Sequence, residues 1–422
     1  MANPQKELEK ESEQLSFTNG AEASGLEILK AIRNGVPLLD VRAPVEFKEG
    51  SLPGAVNLPI LNDEERHLIG TCYKQNGQDA AIALGMKLVS GEVKQSRIEG
   101  WKKFLGENPN ALLYCFRGGL RSKTAQTWLA EAGISVPRVE GGYKKTRQEL
   151  IKILSDKPQA FRFFIITGTT GCGKTRVLHQ LVKSAQANAA APANLLDLEA
   201  LANHKGSAFG REIDPQPSQI DFENALALQF MRWEGREQLP LFAEDESRMI
   251  GKRVQVDSVY LPLRVGPLLV IEESTESRTT LILEEYLQAP YQERIKRSGK
   301  PDQALQDLRA FHLESVKMIS KGLGGLRAQQ LTTLMNQAFD LTQAKGDWEA
   351  HHTWISFVLR EYYDPFYLKH LEKEKERIVF KGSRAELFNW IQSNPPENFM
   401  RMYECGDFSK VRKLVPHSVL TE

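Results

Sequence analysis

Phe163-Phe164-Ile165-Ile166-Thr167-Gly168-Thr169-Thr170-Gly171-Cys172-Gly173-Lys174-Thr175-Arg176-Val177-Leu178-His179-Gln180 runs from a short apolar stretch through a glycine-rich turn into a helix-like pattern. A strand, a tight turn and a helix start, in that order, point successive backbone N–H groups at one anion beside the positive end of the helix. The turn carries Gly168-x4-Gly173-Lys174-Thr175, the spacing of a phosphate loop. Gly168, Gly171 and Gly173 shape the cradle, Lys174 reaches the terminal phosphate and Thr175 is placed to ligate Mg2+. Cys172 falls at a variable position of the pattern and is assigned no chemistry.

Such a loop needs a carboxylate at the end of a neighbouring strand. Further strands are expected at 194–198, 239–243 and 268–271, and these lead into Asp197, Glu244-Asp245-Glu246 and Glu272-Glu273. Asp245 is the selected partner, with Asp197 and Glu273 also qualifying by position. His204, in the turn Asn203-His204-Lys205-Gly206, and Arg248 are candidate substrate contacts, and Arg253 and Arg278 are further candidate phosphate contacts.

A second cradle lies upstream. Cys115-Phe116-Arg117-Gly118-Gly119-Leu120-Arg121 follows the apolar run 111–114 and opens a helix expected at 121–132. A thiol reacts as thiolate, and the loop amides, the helix start and the cations Arg117 and Arg121 all favour that form at Cys115. Gly118 and Gly119 let the backbone curl so that its N–H groups converge on one anion. Around this loop a helix is expected at 26–34, strands at 36–41 and 136–139, a turn followed by a short strand over 51–59, and a helical stretch at 78–105. Strands alternating with helices imply a parallel sheet with reactive loops at its C-terminal edge.

At 422 residues the chain exceeds one core, and 41% hydrophobic with 26% charged residues is ordinary for globular protein. The organisation read from the pattern is a loose tail over 1–20, an α/β domain over 21–150, a second α/β domain over 155–290 and a mostly helical region over 291–422, with helices at 303–321, 326–341 and 347–360. A formal net charge of +1 leaves any polyanion to a local basic face. Arg360, Tyr362, Tyr363, Phe366, Tyr367, Lys369 and His370 offer cations among aromatics for nucleic acid; the plainer reading is an amphipathic helix whose aromatics are core. Four cysteines, at 72, 115, 172 and 405, have no metal-ligand spacing, and no apolar run approaches a membrane span, so the expectation is a cytoplasmic chain with no dedicated metal site.

Residues 25–145 resemble the rhodanese family of sulfurtransferases, through Leu38-Leu39-Asp40-Val41-Arg42 with Glu46-Phe47, Gly54-Ala55-Val56-Asn57-Leu58-Pro59, Cys115 with Gly118 and Arg121-Ser122, and Val139-Glu140-Gly141-Gly142-Tyr143. The resemblance implies a persulfide, or its selenium analogue, on Cys115. The loop is one residue longer than the usual rhodanese loop and looks like that of the phosphatase-like members, which accommodate a phosphate-sized group. A thio- or selenophosphate donor is therefore favoured over thiosulfate.

Joined to a phosphate-loop domain, this arrangement resembles the tRNA 2-selenouridine synthase family. Matching stretches continue through Asp197-Leu198-Glu199, His204-Lys205-Gly206, Gln216-Pro217-Ser218-Gln219, Glu244-Asp245-Glu246-Ser247-Arg248 and Tyr362-Tyr363-Asp364-Pro365. That resemblance implies exchange of sulfur for selenium in the wobble 2-thiouridine of certain tRNAs, with selenophosphate as donor. It also implies an S-geranylated intermediate made from geranyl diphosphate. On this reading Cys115 is the nucleophile, Arg117 and Arg121 hold the selenophosphate oxyanions, and the phosphate loop holds the prenyl diphosphate. No cofactor is tightly bound, Mg2+ belongs at the phosphate loop, and an enzyme supplying selenophosphate is a partner alongside tRNA. The rivals are a small-molecule kinase or NTPase with a rhodanese-type regulatory domain, a phosphatase-like enzyme, and a non-catalytic binding module.

Overall fold

The computed structural model describes residues 22–187 and 193–406, so the tail expected over 1–20 lies outside the described residues. The chain divides into two compact units, Met1–Lys157 with Pro217–Glu234, and Pro158–Gln216 with Gly235–Glu422.

The first unit is built on β1 (Glu22–Ala23), β2 (Leu38–Asp40), β3 (Ala55–Asn57), β4 (Leu112–Tyr114) and β5 (Arg138–Val139). They form one sheet in the order β1-β5-β4-β2-β3, parallel throughout. β2 and β4 are buried along their whole length, which is why both read as unbroken apolar runs before a polar terminus. Asp40, at the end of β2, is fully buried with Arg42, whose guanidinium also donates to the Gly50 carbonyl and lies 3.9 Å from the Tyr143 ring centre.

The helical stretch expected at 78–105 is two elements, Asp63–Leu88 and Gly91–Glu107. The first begins earlier, at an Asn62 capping box, and breaks at Gly77, where φ is +84°. Ile69 lies against Gly85, so the two halves fold back on each other as a hairpin. Residues 217–234, grouped by the sequence reading with the second domain, count with the first unit. There the helix Gln219–Arg232 is fastened by Asp221, which accepts from the Ser51 amide at 2.7 Å, by Asn224, which donates to the Ser51 carbonyl at 2.6 Å, and by an ion pair between Glu223 and Arg147.

The second unit carries β6 (Arg162–Gly168), β7 (Asn194–Leu196), β8 (Pro240–Glu244), the short antiparallel ribbon β9 (Met249–Ile250) and β10 (Arg253–Val254), β11 (Leu268–Ile271) and β12 (Ile378–Gly382). Its sheet is parallel in the order β12-β11-β6-β8-β7, with the central strand β6 feeding the phosphate loop. β12 is an edge strand supplied by the C-terminal region, for which the sequence pattern is mostly helical and announces no strand. Its run Ile378-Val379-Phe380 is three residues long between charged neighbours, too short to announce a strand. The remaining C-terminal helices, led by Pro301–Leu323 and Gly325–Lys345, close a core around Trp354, Phe339 and the buried His312 and His351. Among the described residues no helix is long and apolar enough to cross a membrane.

Candidate active site

Cys115 sits directly after β4, 3% exposed, with its thiol donating to the Ser122 hydroxyl at 3.2 Å. Ser122 in turn donates to the Gly119 carbonyl at 3.1 Å, so side chain and loop brace one another. The loop is held from beneath by a second glycine pair. Gly142 has φ +58°, the Tyr143 amide donates to the Cys115 carbonyl at 2.9 Å, and a Cβ on Gly142 would stand 2.3 Å from that carbonyl oxygen and 2.4 Å from the Gly118 nitrogen. Arg138 fixes the far side by donating to the Gly118 carbonyl at 2.7 Å.

The two loop arginines differ. Arg117 is exposed, with its guanidinium 5.9 Å from the Phe116 ring centre. Arg121 is engaged, bidentate, with Glu46 at 2.5 and 3.0 Å. Burial alone would raise the Glu46 pKa, but Arg121, with Arg66 at 3.3 Å, holds it below the ordinary value. Arg121 is therefore an anchored cation at the rim of the loop, while Arg117 is free to swing toward an anion.

In the phosphate loop, Gly171 and Gly173 have φ of +81° and +83°, and a Cβ on Gly168 would stand 2.4 Å from the Cys172 sulfur. Cys172 is fully buried, and burial pushes its thiol pKa up, in keeping with a structural role. Arg278, 4% exposed, donates to the Thr170 carbonyl at 2.9 Å and pairs with Asp364 at 2.6 and 3.0 Å, tying the loop to the C-terminal helices.

Asp245 is not the carboxylate that faces this loop. It accepts from Thr167 at 2.7 Å and pairs with Arg264, which with Thr167 holds its pKa down against the effect of burial. Glu244 takes the place expected of it: its Oε1 accepts from the Thr175 hydroxyl at 2.5 Å. Successive residues of a strand point to opposite faces, so the two neighbours have opposite environments. Asp245, the carboxylate selected from the sequence, is thus engaged with Thr167 and Arg264, and its neighbour Glu244 with Thr175.

Glu199 also lies 3.2 Å from the Thr175 hydroxyl, and Glu246 is nearby and 6% exposed. Burial, followed by mutual repulsion, raises the pKa of Glu244 and pushes Glu246 up to about 8. Glu199 is likewise raised, by burial, although Lys174 opposes the shift. Burial would discharge Lys174, but the acidic groups around it keep the ammonium charged. A hydroxyl carries one proton and donates once, so two carboxylates on Thr175 require either a proton between them or a cation.

Beside the loop is a cavity of about 300 Å3 bordered by Lys174, Thr175, Glu199, His204, Ile282 and Tyr286. His204 is 8% exposed, its pKa lowered by burial, and its Nδ1 has no partner among the described residues. Arg248 is not brought to this cavity; it is half exposed, pairs with Asp257 at 2.5 Å and rests on Tyr260. Asp197 caps the helix Leu198–Ala202 and contacts His179 at 2.8 Å, and Glu273 is taken by Arg384.

Comparison with known proteins fits this pairing of sites. The family model described as "tRNA 2-selenouridine synthase AAA domain" matches residues 161–397, and that of the rhodanese-like domain matches 26–149. Proteins named tRNA 2-selenouridine synthase from Marinobacter nauticus and Alcanivorax borkumensis are each 44% identical over 365 residues, covering 86% of this chain and 96% and 98% of theirs. One from Shewanella sediminis is 42% identical over 85% of this chain and 94% of its own. The chain belongs to the tRNA 2-selenouridine synthase family.

Within a tRNA 2-selenouridine synthase the cationic and aromatic segment near the C-terminus takes on meaning. Tyr362 and Tyr363 pack on the helical core, as the plainer reading holds, whereas Phe366 is 81% exposed and Lys369 is exposed beside it. Ser122, Glu46, Glu199 and Glu244 have no role assigned from the sequence, and Arg278, a candidate phosphate contact there, is engaged instead with the Thr170 carbonyl and Asp364. Only Glu244 had a local signal, the alternation of faces along β8.

Proposed function

We propose that the chain replaces sulfur with selenium in the wobble 2-thiouridine of tRNA, using selenophosphate at the Cys115 loop and geranyl diphosphate at the phosphate loop. The observation that carries this reading is the Cys115 loop itself: a buried thiol under a curled backbone that opens a helix, with Arg117 free and Arg121 anchored at its rim. A tetrahedral oxyanion is the group such a ring of donors binds.

Two steps follow from the chemistry. At the phosphate loop the thiouridine sulfur attacks the first carbon of the geranyl group: the C–S bond forms, the C–O bond breaks, diphosphate leaves and the N3 proton passes to water. Lys174 and the loop amides bear the charge of the departing diphosphate. At the first loop the Cys115 thiolate attacks phosphorus: an S–P bond forms, the P–Se bond breaks, hydrogen selenide leaves, and water later releases phosphate from the cysteine. Attack on phosphorus is redox-neutral, whereas attack on selenium would leave phosphite. Hydrogen selenide then adds to C2 of the S-geranyl uridine, the C–S bond breaks, and geranylthiol departs with a proton. Alkylation turns the sulfur from a poor leaving group into a thiol.

The residues at the phosphate loop fit a divalent cation. Among the described residues Glu244 Oε2 is buried without a partner, and Thr175 and Glu199 converge beside it. Among the described residues there is no cage of three His, Cys, Asp or Glu ligands, so Mg2+ would take Thr175 and Glu244 from the protein and the rest from diphosphate and water. It would supply charge neutralisation of the diphosphate.

This reading places the chain in the cytoplasm with its tRNA and an enzyme supplying selenophosphate. Its test is nucleoside mass spectrometry of 2-thiouridine tRNA incubated with the protein, selenophosphate and geranyl diphosphate. Appearance of 2-selenouridine supports it, and unchanged tRNA overturns it.

A further inference from the structure

The helical hairpin of Asp63–Leu88 carries apolar side chains that the described residues leave only partly covered. It spans 26 residues and buries only Ala81. Between this hairpin and the helix Leu120–Glu131 lies a cavity of about 280 Å3, close to the ~300 Å3 lower bound typical of small-molecule sites. Its walls include Leu61, Ile69, Tyr73, Ile82, Met86 and Trp128. The polar borders are few, chiefly Gln78 and Thr124, and Arg121, paired with Glu46, is the one charged side chain among them.

Tyr73, Met86 and Leu120 are 57%, 51% and 53% exposed, and all three border this cavity. Single exposed apolar side chains are ordinary, but three gathered on one cavity are held for something. The position narrows what that is. Leu120 and Arg121 begin the helix that the Cys115 loop opens. Ile60, Val89 and Trp128 wall the cavity and belong to the same buried cluster as Cys115. An occupant whose head lies at Arg121 therefore has its head at the selenium-handling loop and its tail among apolar walls.

We propose that this cavity seats the geranyl chain of the S-geranylated uridine during selenium exchange. The assignment rests on the prenylated intermediate of the proposed function. The walls recognise a branched hydrocarbon by excluding water and offer almost no hydrogen bonds, so discrimination is by chain length: a methyl group leaves the cavity empty and loses the apolar contact. The phosphate loop then makes the prenyl thioether, and the first unit recognises it.

The test is hydrogen exchange on the full chain with geraniol, which has the hydrocarbon and no phosphate. Protection is expected over 69–89 and 120–128, absent in Met86→Asp and Tyr73→Asp, and retained in Lys174→Ala. Both substituted side chains are more than half exposed, so the variants should keep the wild-type melting temperature. No protection in this region, protection unchanged by both substitutions, or protection confined to 168–175 and 281–286 would overturn the assignment. A kinetic arm separates this inference from the reading beneath it. With S-geranyl and S-methyl anticodon stem-loops, the wild type should favour geranyl at least tenfold in KM, and the two aspartate variants less than twofold; a preference that survives both substitutions overturns the cavity. If no selenouridine forms from either RNA while geraniol still protects the hairpin, the proposed function falls and the apolar-chain site stands.

Discussion

Replacing Gly142 by alanine should disable the cysteine loop without touching a single residue that contacts substrate. The backbone there is left-handed, φ +58°, which costs an alanine ~1–2 kcal/mol. The larger effect is steric. The added Cβ would lie 2.3 Å from the Cys115 carbonyl oxygen and 2.4 Å from the Gly118 nitrogen, and both are backbone atoms with no rotamer to escape into. Relief to ordinary contact moves the loop by about 1 Å, and a displacement of that size costs ~100-fold in rate. Gly35→Ala separates the two contributions, because Gly35 also has positive φ, +71°, with nothing within 4 Å of the new Cβ. The assay is the rate of 2-selenouridine formation from pre-geranylated RNA with selenophosphate, beside thermal melts. Gly142→Ala should lose ~100-fold in kcat/KM, and Gly35→Ala should lose a little stability and no activity. Gly142→Ala within threefold of wild type would refute the claim that this glycine sets the loop.

At the phosphate loop, Glu244→Gln should weaken Mg2+-dependent binding of geranyl diphosphate by ~10–100-fold in calorimetric titration, while Asp245→Asn should lower the melting temperature and spare affinity; equal effects on affinity would show that the two carboxylates share the work. His312 is fully buried, donates from Nε2 to the Tyr286 carbonyl, and has its pKa pushed down by burial from 6.5 to about 3. Its neutral form therefore stabilises the fold fully above pH 6.5, and that stability is lost as pH falls toward 3, with about 2 kcal/mol gone by pH 5. Urea unfolding of His312→Phe should show a correspondingly shallower decline between pH 7 and 5 than the wild type, and parallel profiles would contradict this. Phe366, exposed on the helix whose Asp364 is tied to the phosphate loop through Arg278, should stack a tRNA base. Phe366→Ala should weaken tRNA binding ~10-fold at unchanged melting temperature and Phe366→Trp should restore it, whereas unaltered binding in the alanine variant would rule the stacking out.

Both loops and their strands were legible because each is written locally: an apolar run, then glycines, then a helix start. β4, β6 and β11 fall within a residue of where the apolar runs place them. What was not legible depends on partners far away in sequence. Nothing near Gln219 announces that its helix fastens to Ser51, and nothing near Arg278 announces a carbonyl at Thr170. β12 is short and flanked by charge, so its strand character comes from the waiting edge of β11. Asp245 and Glu244 differ by one residue and by a whole face of the sheet, a distinction that register settles and composition does not.

The division of labour between the two loops is tested most directly by nucleoside mass spectrometry of 2-thiouridine tRNA after incubation with selenophosphate and geranyl diphosphate, run on wild type, Cys115→Ala and Lys174→Ala. The account predicts 2-selenouridine from the wild type, S-geranyl-2-thiouridine accumulating in Cys115→Ala, and unmodified 2-thiouridine in Lys174→Ala. Selenouridine formed at the wild-type rate by Cys115→Ala, or geranylation undiminished in Lys174→Ala, would contradict it.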